Sequence, residues 1–247
     1  MSSVEGRDFA GARLEDADFS RARLHSPSFE SAKITDAWLC NADISGDIEG
    51  LRVNGVEVAP LVEAELDRRF PERVKLRASD PPVLAEAWAM LEDIWRANLD
   101  RAQALPEPVL YERVDDEWSF AETLRHLIFA TDCWLLRMVK QIRHPYHPWG
   151  VAGSWLTDPA SLGVDPDASP PLVEVLEVRR GRMDMVKETV AALTPEELER
   201  VCVPPDAPGH PTEARTVLHC LQVILNEEWQ HSSYANRDLD VIQSRPR

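Results

Sequence analysis

TVLHCLQVILNEEWQHSSYANRDLDVI, Thr216 to Ile242, reads as one long helix. Val217, Cys220, Ile224, Glu227, His231 and Tyr234 recur at steps of three and four, so they share one face. A carboxylate and an imidazole in the middle of a core-packing stripe are costly unless neutralised, hydrogen-bonded or bound to an ion. Glu227 and His231 stand four apart, about 6 Å on one helix face. That is the spacing at which a helix offers two ligands to one ion.

Working outward, the closest partner is the stretch after DDEW. Ser119 with Glu122 makes a capping box, and Trp118 is placed to staple the helix start. The helix continues as FAETLRHLIFATDCWLLRMVKQI to about Ile142. Its leucines and aromatics cover more than half the circumference, which puts it at the centre of the fold. His126 lies among Leu124, Leu127, Ile128 and Phe129. With Glu227 and His231 it forms a two-histidine, one-carboxylate set on two facing helices. Such a set holds a divalent ion and leaves positions open for water or a sulfur ligand. Glu228, one residue along, and Glu122, four before His126, remain candidates for a carboxylate that orients an imidazole. An ExxxH pair alone is common as a surface or core hydrogen bond, so spacing leaves the site undecided.

Two further long helices are predicted. One runs from about Pro82 to Ala104, after Asp80 as N-cap, with Leu84, Ala87, Trp88, Leu91, Ile94, Trp95 and Leu99 as its stripe. The other runs from about Pro171 to Leu193, and Thr194 caps a short helix behind it. The last helix starts at Thr212 or Thr216. A linker helix, Leu61 to Phe70, is stopped by Pro71. With no convincing strand after residue 60, the pattern is that of a four-helix bundle. The connection from Arg143 to Pro170 is rich in Pro, Gly, Trp and His, and so long an irregular stretch is more often functional or partly mobile than idle.

The first fifty residues follow a different rule. Phe9, Leu14, Phe19, Leu24, Phe29, Ile34, Leu39 and Ile44 recur every five residues, with alanines two positions before most of them. A period of five fits neither a helix nor a strand. It does fit a square-coiled solenoid with large residues stacked inside. The segment resembles the pentapeptide-repeat family, whose A-(D/N)-L-x-x pattern stands here as Ala17-Asp18-Phe19 and Ala42-Asp43-Ile44. The resemblance implies a short right-handed β-solenoid. Eight units make only two coils, which suits a small scaffold better than a gripping rod. Asn54-Gly55 predicts a two-residue hairpin that caps it. The expected division is therefore 1–58, solenoid and hairpin, and 59–247, linker helix and bundle.

Trp118 to Leu127 (WSFAETLRHL) and Asn226 to Leu239 (NEEWQHSSYANRDL) resemble the two signature regions of the DinB-like four-helix bundle superfamily. The likeness covers roughly Leu61 to Ile242. It implies a divalent metal held by His126 on the second helix and by Glu227 and His231 on the last. Zinc is the first expectation, with nickel, iron or manganese as alternatives. The superfamily includes mycothiol-dependent maleylpyruvate isomerases and mycothiol or bacillithiol S-transferases, and the isomerase branch is similar to this chain in using glutamate where many members have histidine. The resemblance thus implies an enzyme that activates a small thiol such as mycothiol toward an electrophilic substrate, because a cation favours thiolate over thiol. Arg179, Arg180 and Arg182 on the third helix are candidates to hold a carboxylate of that thiol or substrate, Arg179 and Arg182 foremost. Plain solvated charge is the competing reading. A hydrolase using metal-bound water, or a non-enzymatic module whose repeats form an interaction surface, are the alternatives.

A net charge of -16 argues against nonspecific nucleic-acid binding and against adhesion to an anionic membrane. No apolar run is long enough to span a bilayer, and the first residues lack a signal-peptide core, so a cytoplasmic protein is expected. A homodimer is an allowed assembly. Cys40, Cys133, Cys202 and Cys220 form no CxxC pair and read as buried free thiols. His25, at an outward repeat position, and His144, His147, His210 and His219 read as structural or surface histidines.

Overall fold

The computed structural model describes residues 8–24 and 26–245; His25 and the extreme N-terminal residues of the signal-peptide reading lie outside them. The chain divides into two compact units, Met1–Cys40 and Asn41–Arg247.

In the first unit the five-residue period is written in the backbone. Asp16, Arg21, Ser26, Ser31 and Asp36 all have positive φ, between 50° and 62°, and Gly11 holds the equivalent position at 71°. One left-handed residue per repeat turns the chain at each corner, a conformation that disfavours β-branched residues. Alternate corners are closed by a backbone bond, as in Ala12 N–H to the Phe9 carbonyl and Ala22 N–H to the Phe19 carbonyl. Asp8 and Asp18 add an Asx-type bond, accepting from the N–H groups of Ala10 and Ser20 at 2.8 Å each. The expected β-solenoid is not formed: among the described residues the repeats are turns and bends without a strand ladder. Only a few extended residues separate successive corners, too few to build one. The large residues are not interior either, since Phe9, Leu14, Phe19 and Leu24 are each more than half exposed. Eight units supply two coils at most, so none of these side chains can be stacked on both sides.

In the second unit, Asn54 and Gly55 take φ of 50° and 82° and join β1 (Arg52–Val53) to β2 (Val56–Glu57) in the register Val53↔Val56. Two successive positive φ values define the hairpin turn that this dipeptide favours. α1 (Ala59–Arg69) follows and buries none of its residues. A 3₁₀ segment, Pro71–Arg77, then turns the chain, and buried Arg73 ties it back to α1 through Glu63 and Asp67.

The bundle consists of α2 (Pro81–Gln103), α3 (Phe120–Thr131), α4 (Leu172–Ala191) and α6 (Val217–Gln243). α2 and α3 each pack against both α4 and α6. Its interior is built from the stripes read in the sequence and forms two clusters: Leu84, Trp88 and Leu91 of α2 with Val217, Leu221 and Ile224 of α6, and Trp95 of α2 with Leu124, Leu127 and Ile128 of α3 and Leu239 of α6. Ser119 accepts from Glu122 N–H while the Glu122 carboxylate accepts from Ser119 N–H, the reciprocal capping box. Thr216 caps α6 by accepting from His219 N–H, and Thr194 caps α5 (Pro195–Glu199) in the same way. Asp80 occupies the N-cap of α2 but makes no side-chain bond there, because the proline pair behind it leaves fewer N–H groups to satisfy.

The second long helix departs from expectation. After Thr131 it widens into a π-helix, Asp132–Val139, and ends before Ile142. The Thr131 hydroxyl donates to the Leu127 carbonyl at 2.8 Å, competing with the ladder at the point where it changes. The wider turn carries buried Asp132 and Cys133 at its start, and π-turns of this kind cluster at functional sites. The 143–170 connection has structure too: Tyr146 and Val164 pack on Phe129 and Cys133 as a small third core. A two-stranded ladder, β3 (Val201–Cys202) and β4 (Arg215–Thr216), leads into α6. No helix among the described residues is long and apolar enough to cross a membrane.

Candidate metal centre

Helix packing brings together the three residues that the sequence separates by about a hundred positions. One donor atom from each of His126, Glu227 and His231 can be chosen so that all three lie within 4.8 Å of one another. The Glu227 Oε2 atom sits 3.2 Å from His126 Nε2 and 3.2 Å from His231 Nε2. The imidazole rings are 4.6 Å apart, centroid to centroid. α3 supplies His126 from its core-facing side, and α6 supplies the other two from one face, one turn apart.

The tautomer of His126 is set by its far nitrogen. Nδ1 lies 2.9 Å from the Val151 carbonyl, and a carbonyl can only accept, so Nδ1 carries hydrogen. A neutral ring then presents the bare lone pair of Nε2 to a carboxylate oxygen. Two acceptors at 3.2 Å require a positive centre between or upon them: a second ring proton, or a cation. Burial pushes His231 down toward its neutral, ligand-competent form, with the Glu227 hydrogen bond opposing. For Glu227, burial works to raise the carboxyl, but hydrogen bonds to His126 and His231 outweigh it and hold the group well below the usual range. An anionic carboxylate and two imidazole nitrogens fit a divalent metal ion by donor chemistry.

The group orienting His126 is a backbone carbonyl in the long connection, not a carboxylate. Glu122 is engaged by its cap and by Arg113, and Glu228 pairs with Arg179; neither touches an imidazole. The connection is stitched to α3 by adjacent residues, because Arg125 Nε also donates to the Trp149 carbonyl at 2.7 Å. No side-chain pattern could have flagged Val151, since the contact uses main chain alone.

Arg179 is buried, pairs with buried Glu228 and stands over the Trp95 ring at 5.8 Å. Arg182 donates through Nε to Asp132 at 2.6 Å. Both guanidiniums are thus engaged by the chain's own carboxylates, while Arg180 is exposed beside Glu177. Burial raises Glu228 despite Arg179, and raises Asp132 to about 6 against the pull of Arg182 and of the His147 N–H. Cys133 is also buried near the triad; burial, with the Asp132 and Glu227 charges, keeps it a thiol. Of the other thiols, Cys202 and Cys220 are buried as expected, but Cys40 is exposed. Cys202 lies in β3, accepting from Arg200 at 3.4 Å. His144 and His219 are exposed, while His147 and His210 are partly buried.

Compared with known families, residues 90–235 match the pattern of the DinB superfamily, more than half of the chain. The chain belongs to the DinB superfamily. The match takes in α3 and α4 whole and most of α2 and α6, with His126, Glu227 and His231. This DinB protein also matches the pentapeptide repeats, in eight copies over residues 8–46. None of the curated proteins and none of the solved structures compared with it matches.

Trp118 is the neighbour whose role spacing did not reveal. Rather than only stapling the start of α3, its indole lies 4.5 Å from the His126 ring and stacks on His231 at 5.9 Å. Tyr234 meets His231 edge-on at 5.6 Å.

Proposed function

We infer that this DinB protein is a metal-dependent enzyme that activates a small thiol toward an electrophilic substrate, by S-transfer or by thiol-assisted isomerisation. The observation that carries the reading is the Glu227 carboxylate held 3.2 Å from two imidazole nitrogens, one of which has its tautomer fixed by Val151. His126, Glu227 and His231 would hold the ion. When bound, a divalent cation of the zinc type supplies Lewis-acid stabilisation of an anionic nucleophile at neutral pH. The chain's own contribution is to orient the His126 ring through Val151, to favour the neutral form of His231 by burial, and to keep Glu227 anionic. Mycothiol is the thiol and a soluble electrophile the partner in this reading, with a cytoplasmic location.

The test begins with metal analysis of purified protein and of His231→Ala. Stoichiometric zinc, nickel, iron or manganese in the parent and none in the variant is the expected result; unchanged content in the variant would sink the metal reading. Incubating the loaded protein with mycothiol and an alkyl halide then separates thiol transfer, which forms the thioether, from hydrolysis, which needs no thiol.

A second role is supported for the repeats. Phe9, Phe19, Phe29 and Ile34 are each more than half exposed and Trp38 is 95 % exposed, which favours an interaction surface over a buried scaffold.

A further inference from the structure

His126 reaches the triad from α3, and its chain neighbour Arg125 faces elsewhere, because consecutive helical residues point about 100° apart. Arg125 is 8 % exposed, and its Nε donates to the Trp149 carbonyl at 2.7 Å. The Arg125 carbonyl accepts from Val151 N–H at 3.3 Å, and the Val151 carbonyl in turn takes the His126 Nδ1 hydrogen at 2.9 Å. Gly150, between them, lies so close to α3 that a Cβ there would stand 3.2 Å from Phe129 Cβ and 3.2 Å from the His147 carbonyl oxygen. Residues 149–151 of the long connection are thus pinned to α3 at Arg125, His126 and Phe129.

Packing alone does not account for an arginine at this place. Its Nη2 is buried and finds no hydrogen-bond partner among the described residues, and burial lowers its pKa against the pull of Glu122 and Asp165. An apolar side chain of similar length would fill the space without desolvating a charge. What the guanidinium adds is a directed bond to the backbone that carries the His126 acceptor.

We propose, on the divalent-ion reading above, that Arg125 is a positioning residue of the metal centre: it clamps residues 149–151 onto α3 and so fixes the His126 ring through the Val151 carbonyl. A ligating imidazole whose far nitrogen is held keeps its tautomer and its orientation. The coupling is reciprocal: what docks the segment favours the ion, and the ion favours the docked segment. The amides of Trp149, Gly150 and Val151 report that docking, since they donate to His147 Nδ1, the His147 carbonyl and the Arg125 carbonyl.

The test uses the full chain, stripped of metal and titrated with cobalt(II) against a chromophoric chelator, with hydrogen exchange of residues 149–151 followed with and without cobalt. The parent should bind one cobalt per chain, and the ion should slow exchange in the segment. Arg125→Met should bind cobalt about tenfold more weakly, the low end of the range for groups that orient a ligating imidazole, with faster exchange at 149–151. Arg125→Lys, which still brings a donor to the Trp149 carbonyl, should retain most of the affinity. Gly150→Ala lifts the same segment from its other side without altering α3, and should weaken cobalt as Arg125→Met does; it carries the test if the methionine variant does not fold. Thr194→Ala, which loses only the cap of α5, should leave cobalt affinity unchanged. Unaltered affinity in Arg125→Met and Gly150→Ala, with the parent binding cobalt, overturns the role of Arg125 and leaves the metal reading standing. A lysine variant as weak as the methionine one, or an equal loss in Thr194→Ala, also overturns it, the cause then being general destabilisation. A parent that binds no cobalt overturns the metal reading itself.

Discussion

Arg179 and Glu228 form an ion pair at the centre of the bundle, one residue along from Glu227. Arg179 Nε and Nη1 and Glu228 Oε1 find no hydrogen-bond partner among the described residues, so the pair is desolvated without being fully satisfied. Removing one member strands a buried charge. Arg179→Met should therefore cost about 3–5 kcal/mol in urea unfolding, whereas Arg179→Met with Glu228→Leu should recover most of the loss. An equally large loss in the double variant would mean that the pair stabilises in its own right. Asp132 makes a different prediction. Its folded-state carboxyl sits at about 6, above the ordinary 3.8, because burial outweighs Arg182 and the His147 N–H. A raised carboxyl contributes stability below its ordinary value and loses that contribution as pH rises through about 6. Relative to the parent, Asp132→Asn should thus gain up to about 3 kcal/mol between about pH 4 and pH 8. A stability difference that does not move with pH would place Asp132 at an ordinary value.

At the scale of elements, the start of α3 bears on both fold and site. Ser119 and Glu122 satisfy each other's backbone N–H groups, and the residue just before them is Trp118. Ser119→Ala should destabilise the protein by about 1 kcal/mol, read from the shift of the urea midpoint. The far end of the same helix obeys longer-range demands. Asp132 opens the π-helical stretch and reaches Arg182 on α4 and His147 in the connection, so a local hydrophobic period could not locate the change. The connection is similarly divided between what local sequence suggests and what packing decides. Its composition singles it out, while the choice of the Val151 carbonyl as the partner of His126 comes from how it lies against α3.

For the whole molecule, the buried apolar side chains among the described residues run from Leu76 to Ile242, and none of them belongs to Met1–Cys40. A chain beginning at Asn41 should accordingly unfold within about 2 °C of the full-length protein, because a loss below about 1 kcal/mol moves the midpoint little at this size. It should also match the full-length protein in the divalent metal content that metal analysis finds. A larger drop in calorimetry would assign the repeats a stabilising role that their exposure does not suggest.

The local sequence was enough for where the long helices begin, for the capping box and the Thr194 and Thr216 caps, the Asn54-Gly55 hairpin and the five-residue period, because each is dictated by contacts within a few residues. It also put Glu227 and His231 on one face, since a helix fixes the relation of i to i+4. Tertiary structure alone decided the rest. It set His126 against that face across the bundle, turned its ring with a main-chain carbonyl from a distant connection, and laid Trp118 over both imidazoles. It also decided that Glu228 pairs with Arg179 rather than orienting an imidazole, and left the large residues of the repeats exposed. Those outcomes depend on which surfaces meet, a quantity that hydrophobic period and residue type do not encode.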